Sequence, residues 1–294
     1  MALGFFDGVH IAHRDLLEEG RRIADKMGIP LGVFTFPSEN RLKVGAKRLY
    51  STEERLRLLE QAGIDFTVLV DFSAVSSLSP EDFVKEVLVK RLKCRIAVIG
   101  FNFRFGRGAS GNAEILCNLM KECNGECSVR EELKIDGETV CTTLIRELLA
   151  DGNIEKANTL LKAPYRISGK IESGNGVGKG LGFPTINTRL DDWRVELRRG
   201  VYRTAVKIDG KIYPSITNVG TCPTFGEREV HLETYILDFD KSVYGKDTET
   251  YFLEFIRDET QFKSEKELKM QISVDINAVI QKNGDKKWQE LGQN

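Results

Sequence analysis

Residues 1–160 alternate short apolar runs with stretches of helical periodicity, and this rhythm strongly constrains the fold. The apolar runs are short enough to be buried strands, and they cover residues 2–6, 31–36, 66–70 and 95–99. Parallel strands must be joined by long crossovers, which are usually helices. We therefore expect a doubly wound parallel α/β sheet in this half of the chain.

Helix ends in this half carry clear local signals. Ser51 and Glu54 have the spacing of a capping box. The Ser-Pro pair at 79–80 has the order of a cap followed by proline at the first helical position. Gly28 and Gly63 suit the left-handed residue that ends many helices.

The pattern changes after Pro164, where strand-like segments follow one another with tight turns between them. The Asp-Gly pair at 209–210 is a strong hairpin signal. Such a series predicts a small antiparallel β-barrel. The length of 294 residues also favours two domains, which we place at residues 1–160 and 161–294.

A final helix is expected to cover this barrel. It begins at Ser264, with Glu267 at the spacing of a capping box. Apolar residues recur on one face of the helix, which suits packing against a sheet. That face comprises Leu268, Ile272, Ile276, Val279 and Ile280.

The composition is that of an ordinary globular protein and argues against some partners. The net charge is -1, whereas proteins that bind nucleic acid or anionic membranes favour a basic surface, so we expect neither partner. We see no signal peptide and no apolar stretch of membrane-spanning length, and we expect a cytoplasmic protein that is a monomer or weak homo-oligomer. Six cysteines are too few for a disulfide scaffold in this chain, so we expect reduced thiols.

The run 4–13, GFFDGVHIAH, places two of the three histidines where the first strand turns into a helix. A helix start presents unpaired N–H groups and a partial positive charge, and Gly4 and Gly8 let an anion approach the main chain. His10 and His13 can point at the same bound group, so the run predicts a phosphate site. Two surface residues or incidental metal ligands remain an open alternative.

A glycine-rich run, GNGVGKG at 174–180, lies in the second half and is followed by LGFPTIN. Glycines allow N–H groups to curl around a phosphate, and Lys179 adds charge, although the run alone is more typical of a flexible turn. Thr185 and Asn187 carry neutral oxygens of the kind that Mg²⁺ accepts. Their spacing on an extended segment places both on one side.

Alternation along the segment 229–238 places His231, Glu233 and Tyr235 on one strand face. Glu233 can therefore face a cavity while the residues between these three pack on the other face. For a strand glutamate taken alone, an exposed and inert side chain is the commoner outcome.

Thr143 and Arg146 lie near the end of the first half, at a helix start and one turn later. An arginine there could clamp a polyphosphate through paired hydrogen bonds. A capped surface helix with a solvated arginine explains the two residues as well.

Taken in order, these motifs resemble those of the bacterial bifunctional riboflavin kinase/FMN adenylyltransferase family, also called FAD synthetase. The first half contributes GFFDGVHIAH, RLYSTEERLRLL, GFNFRFGRGASGN and TTLIR. The second contributes LGFPTIN, GVY, NVGTCPTFG, HLETYILDF and FIRDETQF. The resemblance implies a Rossmann-like nucleotidyltransferase domain, which makes FAD from FMN and ATP. It also implies a kinase barrel, which makes FMN from riboflavin and ATP with Mg²⁺.

The resemblance also implies roles for individual residues. The implied catalytic residues are Glu233, as the base of the kinase, and His10, His13 and Arg146 of the adenylyltransferase. The implied ATP contacts are Gly4, Phe6, Asp7, Gly8, Thr143, Gly174, Gly178, Lys179, Gly182 and Pro184. The implied flavin contacts are Asn102 and Arg104, and the implied magnesium ligands are Thr185 and Asn187.

Three departures from the family's motifs lie in the first half. HxGH reads HIAH, with Ala12 in place of glycine, and the aspartate of GxDFRFG is Asn102. The segment TF-acidic-P-x-P reads TFPSEN at 35–40. These departures leave open a kinase with a degenerate adenylyltransferase domain. A flavin-binding regulatory protein without turnover is the alternative from a different class.

Overall fold

The computed structural model describes residues 1–38, 47–173, 177–221 and 230–282. It divides into two compact units, Met1–Leu144 and Ile145–Asn294. The first contains residues 1–144 of the predicted α/β domain, and the second contains residues 145–160 of that domain followed by the predicted barrel. The domain boundary between residues 160 and 161 stays a prediction. Within the described residues, no helix combines the length and the apolar character that a membrane crossing requires.

A five-stranded parallel sheet forms the centre of the first unit, as the sequence predicts. Its strands are β1 (Ala2–Leu3), β2 (Gly32–Thr35), β3 (Phe66–Leu69), β4 (Ile96–Gly100) and β5 (Glu126–Arg130). Their order is β3-β2-β1-β4-β5, so the winding reverses between β1 and β4. Ligands of such sheets bind at the carboxyl ends of the strands beside this reversal. The sequence analysis missed β5, because its exposed and half-buried side chains form no apolar run.

Helices connect these strands. They are α1 (Ile11–Met27), α2 (Thr52–Gln61), α3 (Pro80–Asp82), which continues as a π-helix over Phe83–Arg91, α4 (Ala113–Glu122) and α5 (Thr142–Ala150). Short 3₁₀ turns cover Phe72–Ala74 and Arg107–Ala109, and a small hairpin joins β6 (Lys134–Ile135) to β7 (Glu138–Thr139). The sequence does not predict the π-helical turn. Residue 144, where the first unit ends, lies inside α5.

The predicted helix caps are confirmed. Ser51 Oγ accepts a bond from Glu54 N at 3.1 Å, and Glu54 Oε2 accepts one from Ser51 N at 2.7 Å. Ser79 accepts from the backbone N–H of residue 82 at 3.1 Å. Gly28 ends α1 with a φ of 63°, and Gly63 follows α2 with a φ of 79°.

The second unit is a curled antiparallel sheet. Its strands are β8 (Tyr165–Lys170), β9 (Thr185–Arg189), β10 (Gly200–Ile208), β11 (Lys211–Thr221), β12 (Val230–Ile236) and β13 (Asp247–Arg257), in the order β8-β13-β10-β11-β12-β9. Beyond the end of β8, Glu172 N donates to Asn187 O on β9 at 2.8 Å, which brings the two edges of the sheet together. Three helices accompany the sheet: α6 (Ile154–Leu161), α7 (Val177–Gly180) and α8 (Glu265–Lys282).

The predicted hairpin joins β10 to β11. Ile208 pairs with Lys211, and the two residues between them have φ values of 49° and 75°. Two positive φ values at a two-residue loop match the right-handed twist of the flanking strands. The hairpin therefore sets the register of β10 against β11 in the curled sheet.

The predicted covering helix is α8. Ser264 Oγ accepts from Glu267 N at 3.3 Å, as expected for the cap. Val279 is fully buried and packs with Val201 of β10. Ile280, predicted on the same stripe, is 52% exposed. It lies about 100° further around the helix than Val279 and so turns away from the sheet.

Cys117 of α4 and Cys127 of β5 form a disulfide, which corrects the expectation of reduced thiols. Their Cα atoms are 5.1 Å apart, a separation that a disulfide spans. Packing of α4 beside β5 brings the two residues together, and sequence spacing does not reveal such a pairing. In the described part of the chain, Cys94, Cys123 and Cys141 are free thiols.

Four buried hydroxyl groups form a chain inside the curled sheet. Thr204 Oγ1 lies 2.8 Å from both Ser215 Oγ and Thr217 Oγ1. Thr217 Oγ1 lies 2.8 Å from Thr234 Oγ1. All four residues are at most 2% exposed, and they come from β10, β11 and β12. The chain therefore ties three neighbouring strands together.

We expect Thr217→Val to destabilise the second unit by about 1–3 kcal/mol, because it removes the hydroxyl that joins Thr204 to Thr234 and leaves a buried polar group unsatisfied. Urea unfolding followed by tryptophan fluorescence measures this, since Trp193 and Trp288 both fall within the second unit. The matched control is Thr159→Val at an exposed position of α6, with an expected change below about 0.5 kcal/mol. Equal stability of the two variants would contradict the role of the hydroxyl chain.

Candidate active sites

The turn that leaves β1 has an unusual backbone conformation. Phe6, Gly8 and Val9 have φ values of 53°, 102° and 44°. Positive φ is ordinary for glycine and costly for a β-branched residue such as valine. Phe6 and Val9 are also fully buried. Strain of this kind persists only where surrounding contacts fix the backbone, so other parts of the unit must hold the turn.

Two side chains hold the turn through the carbonyl oxygen of Phe5. Arg55 of α2 donates to this oxygen from Nη1, and the hydroxyl of Thr35 donates to it at 3.0 Å. Arg55 and Thr35 are both fully buried. The carbonyl group at the start of the turn is therefore fixed from α2 and from β2.

Asp7 holds the turn from its other side. Its carboxylate accepts from Leu49 N at 3.1 Å, and its carbonyl oxygen accepts from the hydroxyl of Thr142 at 3.1 Å. Asp7 is 2% exposed. Its carboxylate accepts from the backbone N–H groups of residues 49 and 50. This contact organises the turn, and the ATP contact of Asp7 stays a prediction.

The two histidines of the predicted phosphate site stack on each other. Their ring centroids are 3.7 Å apart and their planes differ by 16°. His10 caps α1, since its Nδ1 accepts from His13 N at 3.4 Å. An accepting Nδ1 leaves the proton of the neutral His10 ring on Nε2. The Nδ1 of His13 is buried and bonds to no group in the described residues.

Both histidines are neutral at pH 7. Burial lowers the pKa of His10 to about 4. Burial also lowers the pKa of His13 well below its usual value, and repulsion from His10 in its protonated form and from the charge of Arg55 lowers it further. Each neutral ring therefore carries one N–H group and can donate one hydrogen bond to a bound group. A polyphosphate close to the rings would favour their charged form.

A cavity of about 590 Å³ opens beside His13, where the ends of β1 and β4 meet. This volume lies in the range of small-molecule sites. Eight phenylalanine rings line it: Phe5, Phe6, Phe34, Phe36, Phe72, Phe83, Phe103 and Phe105. Among the predicted residues, those that line it are Gly4, Phe6, His13, Asn102 and Arg104. Asp7, Gly8 and His10 do not line it, and they belong to the turn behind it.

Helix α5 carries the remaining predicted residues of this site. Thr143 is exposed at the start of the helix. Arg146 is half-buried one turn later, within the second unit. The sequence analysis did not select Thr142, whose hydroxyl reaches the turn at Asp7. The roles of Thr143 and Arg146 stay predictions.

In the second unit, Glu233 faces a cavity, as its place on β12 predicts. It pairs with Asn187 on β9 and with Asn218 on β11. The hydroxyl of Thr185 donates to Glu233 Oε1 at 2.9 Å. The residues predicted as the base and the metal ligands come from separate segments, and the strand register brings them together on one sheet face.

This second cavity has a volume of about 660 Å³ and lies between the sheet and α8. The sheet supplies polar groups around Glu233, and the helix supplies an apolar wall. The polar side comprises Thr185, Asn187, Asn218, His231 and Glu233. The apolar residues on the helix side are Leu268, Ile272 and Ile276, and Asp275 of the same helix also lines the cavity. The cavity can therefore hold a molecule with an apolar ring at one end and a polar chain at the other.

The glycine-rich loop approaches the sheet at Gly178. A Cβ atom there would lie 2.5 Å from Phe183 O and 3.1 Å from Thr185 Oγ1, so only glycine fits. Gly182 has a φ of 89°, and Pro184 is exposed beside Thr185. Gly174 and the side chain of Lys179 lie outside the described residues. Of the predicted loop residues, Gly178 lines the cavity.

An ion pair fixes α8 over the cavity. Arg257 at the end of β13 donates to Asp275 from Nε at 3.2 Å and from Nη2 at 2.8 Å. The amide of Gln271 donates to Asp275 at 2.9 Å. The Asp275 side chain is 5% exposed, and it lines the cavity together with Arg257. Sequence reasoning assigned no role to this pair.

Asn218 is another cavity residue that sequence reasoning missed. Its place opposite Glu233 depends on the pairing of β11 with β12, which the sequence does not give. Alternation along β11 does place Asn218 and Ile216 on one face, and that was the available signal. Both residues line the cavity.

Comparison with protein families assigns both halves of the chain. Residues 1–144 match the family model described as FAD synthetase, and residues 161–282 match the one described as riboflavin kinase. The two matches follow the same order as the two cavities. Each cavity therefore lies within a separately recognised family domain.

Curated relatives named bifunctional riboflavin kinase/FMN adenylyltransferase cover both domains. The protein from Haemophilus influenzae is 33% identical over 94% of this chain and 91% of its own length. The one from Bacillus subtilis is 32% identical, over 95% and 91%, and the one from Escherichia coli K12 is 34% identical, over 94% and 90%. A crystal structure described as a macrolide-efflux protein from Streptococcus pneumoniae is 31% identical and superposes with a TM-score of 0.86, covering 95% of this chain and 92% of that one. The chain therefore belongs to the bifunctional riboflavin kinase/FMN adenylyltransferase family, with an FAD synthetase domain followed by a riboflavin kinase domain.

Proposed function

We propose that this chain makes FAD in two steps, one at each cavity. The second unit phosphorylates riboflavin to FMN with Mg-ATP, and the first unit adenylylates FMN to FAD with release of pyrophosphate. The observation that carries the proposal is the meeting of Glu233, Thr185 and Asn187 at one cavity. The aromatic cavity beside His13, in a separate unit, supports the second step.

Glu233 is the proposed general base of the kinase. The 5′-hydroxyl oxygen of the ribityl chain attacks the γ-phosphorus of ATP, the bond to the bridging oxygen breaks, and ADP leaves. Glu233 accepts the proton of the attacking hydroxyl. The bond from Thr185 orients the Glu233 carboxylate. The apolar wall of α8 suits the flavin ring, which leaves the polar chain near Glu233.

Mg²⁺ is the proposed metal of the kinase site, and Thr185 and Asn187 are its proposed ligands. Mg²⁺ prefers oxygen ligands and is usually bound through one or two protein groups together with substrate phosphates and water. The hydroxyl of Thr185 and the side-chain carbonyl oxygen of Asn187 are neutral oxygen donors that fit this ion. When bound, the ion neutralises charge on the phosphates.

The adenylyl transfer is proposed to proceed without a covalent enzyme intermediate. A phosphate oxygen of FMN attacks the α-phosphorus of ATP, the bond to the bridging oxygen breaks, and pyrophosphate leaves. Catalysis then depends on positioning and charge stabilisation. His10 and His13 at the start of α1 are the proposed phosphate contacts, together with Thr143 and Arg146.

The remaining proposed ligand contacts follow the family motifs. Asn102 and Arg104 are proposed to contact the flavin at the aromatic cavity. We propose that the protein works in the cytoplasm as a monomer or weak homo-oligomer. The balanced composition suggests that it has no nucleic-acid or membrane partner.

The purified chain with riboflavin, ATP and Mg²⁺ is expected to form FMN first and FAD afterwards, resolved by chromatography. Absence of both products would contradict the proposal and favour a flavin-binding protein without turnover. Accumulation of FMN without FAD would reject the first-unit activity and favour a kinase with a degenerate adenylyltransferase domain.

We expect Glu233→Gln to lower riboflavin phosphorylation by about 10²-fold or more, because the amide cannot take the proton of the attacking hydroxyl. Mg-ATP binding, measured by calorimetry, is expected to stay nearly intact. Formation of FAD from supplied FMN is the internal control and should not change. An unchanged rate of phosphorylation would remove Glu233 from the mechanism.

His10→Ala is the reciprocal variant. It removes both a phosphate contact and the cap of α1, so we expect FAD formation to fall by about 10²-fold while FMN formation is spared. Initial rates of the two reactions, measured on the same preparation, test this. Equal loss of both activities would argue against separate sites.

The lowered pKa of His10 predicts a pH dependence of stability. As the pH falls from about 6.5 towards 4, the unfolded chain takes up a proton on His10 while the folded chain does not. The first unit should therefore lose stability across this window, and His10→Gln should lose less. Urea unfolding of the parent chain and of His10→Gln at pH 7 and pH 5 tests this. Both tryptophans belong to the second unit, so unfolding of the first unit is followed as the circular dichroism transition that shows no change in tryptophan fluorescence. Equal pH dependence would contradict the lowered pKa.

A further inference from the structure

Arg55 is a buried charged residue to which the proposed chemistry gives no role. It lies on α2 and is fully buried. Removing a guanidinium group from water carries a large energetic cost, which close hydrogen bonds must offset. Its position next to the strained turn suggests that Arg55 stabilises the conformation of that turn.

The guanidinium group of Arg55 bridges the ends of two strands. Its Nη1 donates to Phe5 O beyond β1, and its Nη2 donates to Phe36 O beyond β2. Nη1 also lies 3.1 Å from the hydroxyl of Thr35. The planar, forked geometry of arginine suits such a bridge, whereas the single ammonium group of lysine does not.

Arg55 also contacts the wall of the aromatic cavity. Its guanidinium carbon lies 4.4 Å from the ring centroid of Phe5, a favourable cation–π distance. Phe5, Phe36 and His13 all line the cavity. One buried group therefore fixes two cavity rings and the start of the turn that leads to the histidines.

We infer that Arg55 is a positioning residue for adenylyl transfer, which bridges Phe5 and Phe36 and so holds the strained turn and His13 in the working arrangement. The inference rests on the proposed adenylyltransferase activity. Misplacement by about 1 Å can lower a rate by about 10²-fold. The charge of Arg55 also adds to burial in lowering the pKa of His13, so that pKa is a second observable of the arrangement that Arg55 holds.

The test compares Arg55→Met with Arg57→Met, a matched change on the same helix at a side chain that is 52% exposed. We expect Arg55→Met to lower the kcat of FAD formation by about 10²-fold. The pKa of His13, followed by NMR of the three histidine rings, should rise in this variant. Arg57→Met should change neither quantity. Riboflavin phosphorylation in the second unit should be unchanged in both variants.

If Arg55→Met folds and has either the same kcat or the same His13 pKa as Arg57→Met, the inference is overturned. Should Arg55→Met fail to fold, Arg55→Lys and Thr35→Val decide. Both are expected to lower kcat. Arg55→Lys loses the forked bridge between the two carbonyl oxygens, and Thr35→Val loses the hydroxyl that contacts both Phe5 O and Arg55. Wild-type kcat in both would overturn the inference. A parent chain that forms no FAD would contradict the proposed function, and the comparison of the His13 pKa would still test the influence of Arg55 on that ring.

Discussion

Phe6 and Val9 adopt left-handed backbone conformations at the point where β1 gives way to α1, and the arrangement of the first unit depends on holding them there. Arg55 donates a hydrogen bond to the carbonyl oxygen at the start of the turn, and Asp7, in the middle of the turn, accepts one from the backbone N–H of residue 49. These contacts place the stacked histidines at the start of a helix, where free N–H groups favour an anion. The neutral state of the rings follows from the same burial. Local strain and functional geometry are thus two aspects of one packed turn.

In the second unit, strand register positions the side chains of the proposed site. The pairing of β12 with its two neighbours places Glu233 between Asn187 and Asn218. The residues that alternate with them face inward, where the chain of buried hydroxyls links Thr234 to Thr217. A slip of one residue would exchange these two faces. Interior hydroxyls therefore fix the strands whose other face carries the cavity.

Much of this was predictable from the sequence, because the strongest signals are local. Apolar runs gave four of the five parallel strands, and the Asp-Gly pair gave the hairpin. Alternation placed Glu233 on one strand face with His231 and Tyr235, and the family resemblance favoured a place at a cavity, where the structure puts it. What escaped prediction depends on contacts between distant segments: the edge strand β5, the Cys117–Cys127 disulfide, and the ion pair between Arg257 and Asp275.

The most direct measurement is a crystal structure of the chain with riboflavin, Mg²⁺ and a non-hydrolysable ATP analogue. We expect the flavin between the sheet and α8, with its 5′-hydroxyl about 3 Å from the Glu233 carboxylate. We also expect the terminal phosphate of the analogue on the opposite side of that hydroxyl. A flavin bound elsewhere in the second unit, or a Glu233 carboxylate turned away from the hydroxyl, would contradict it.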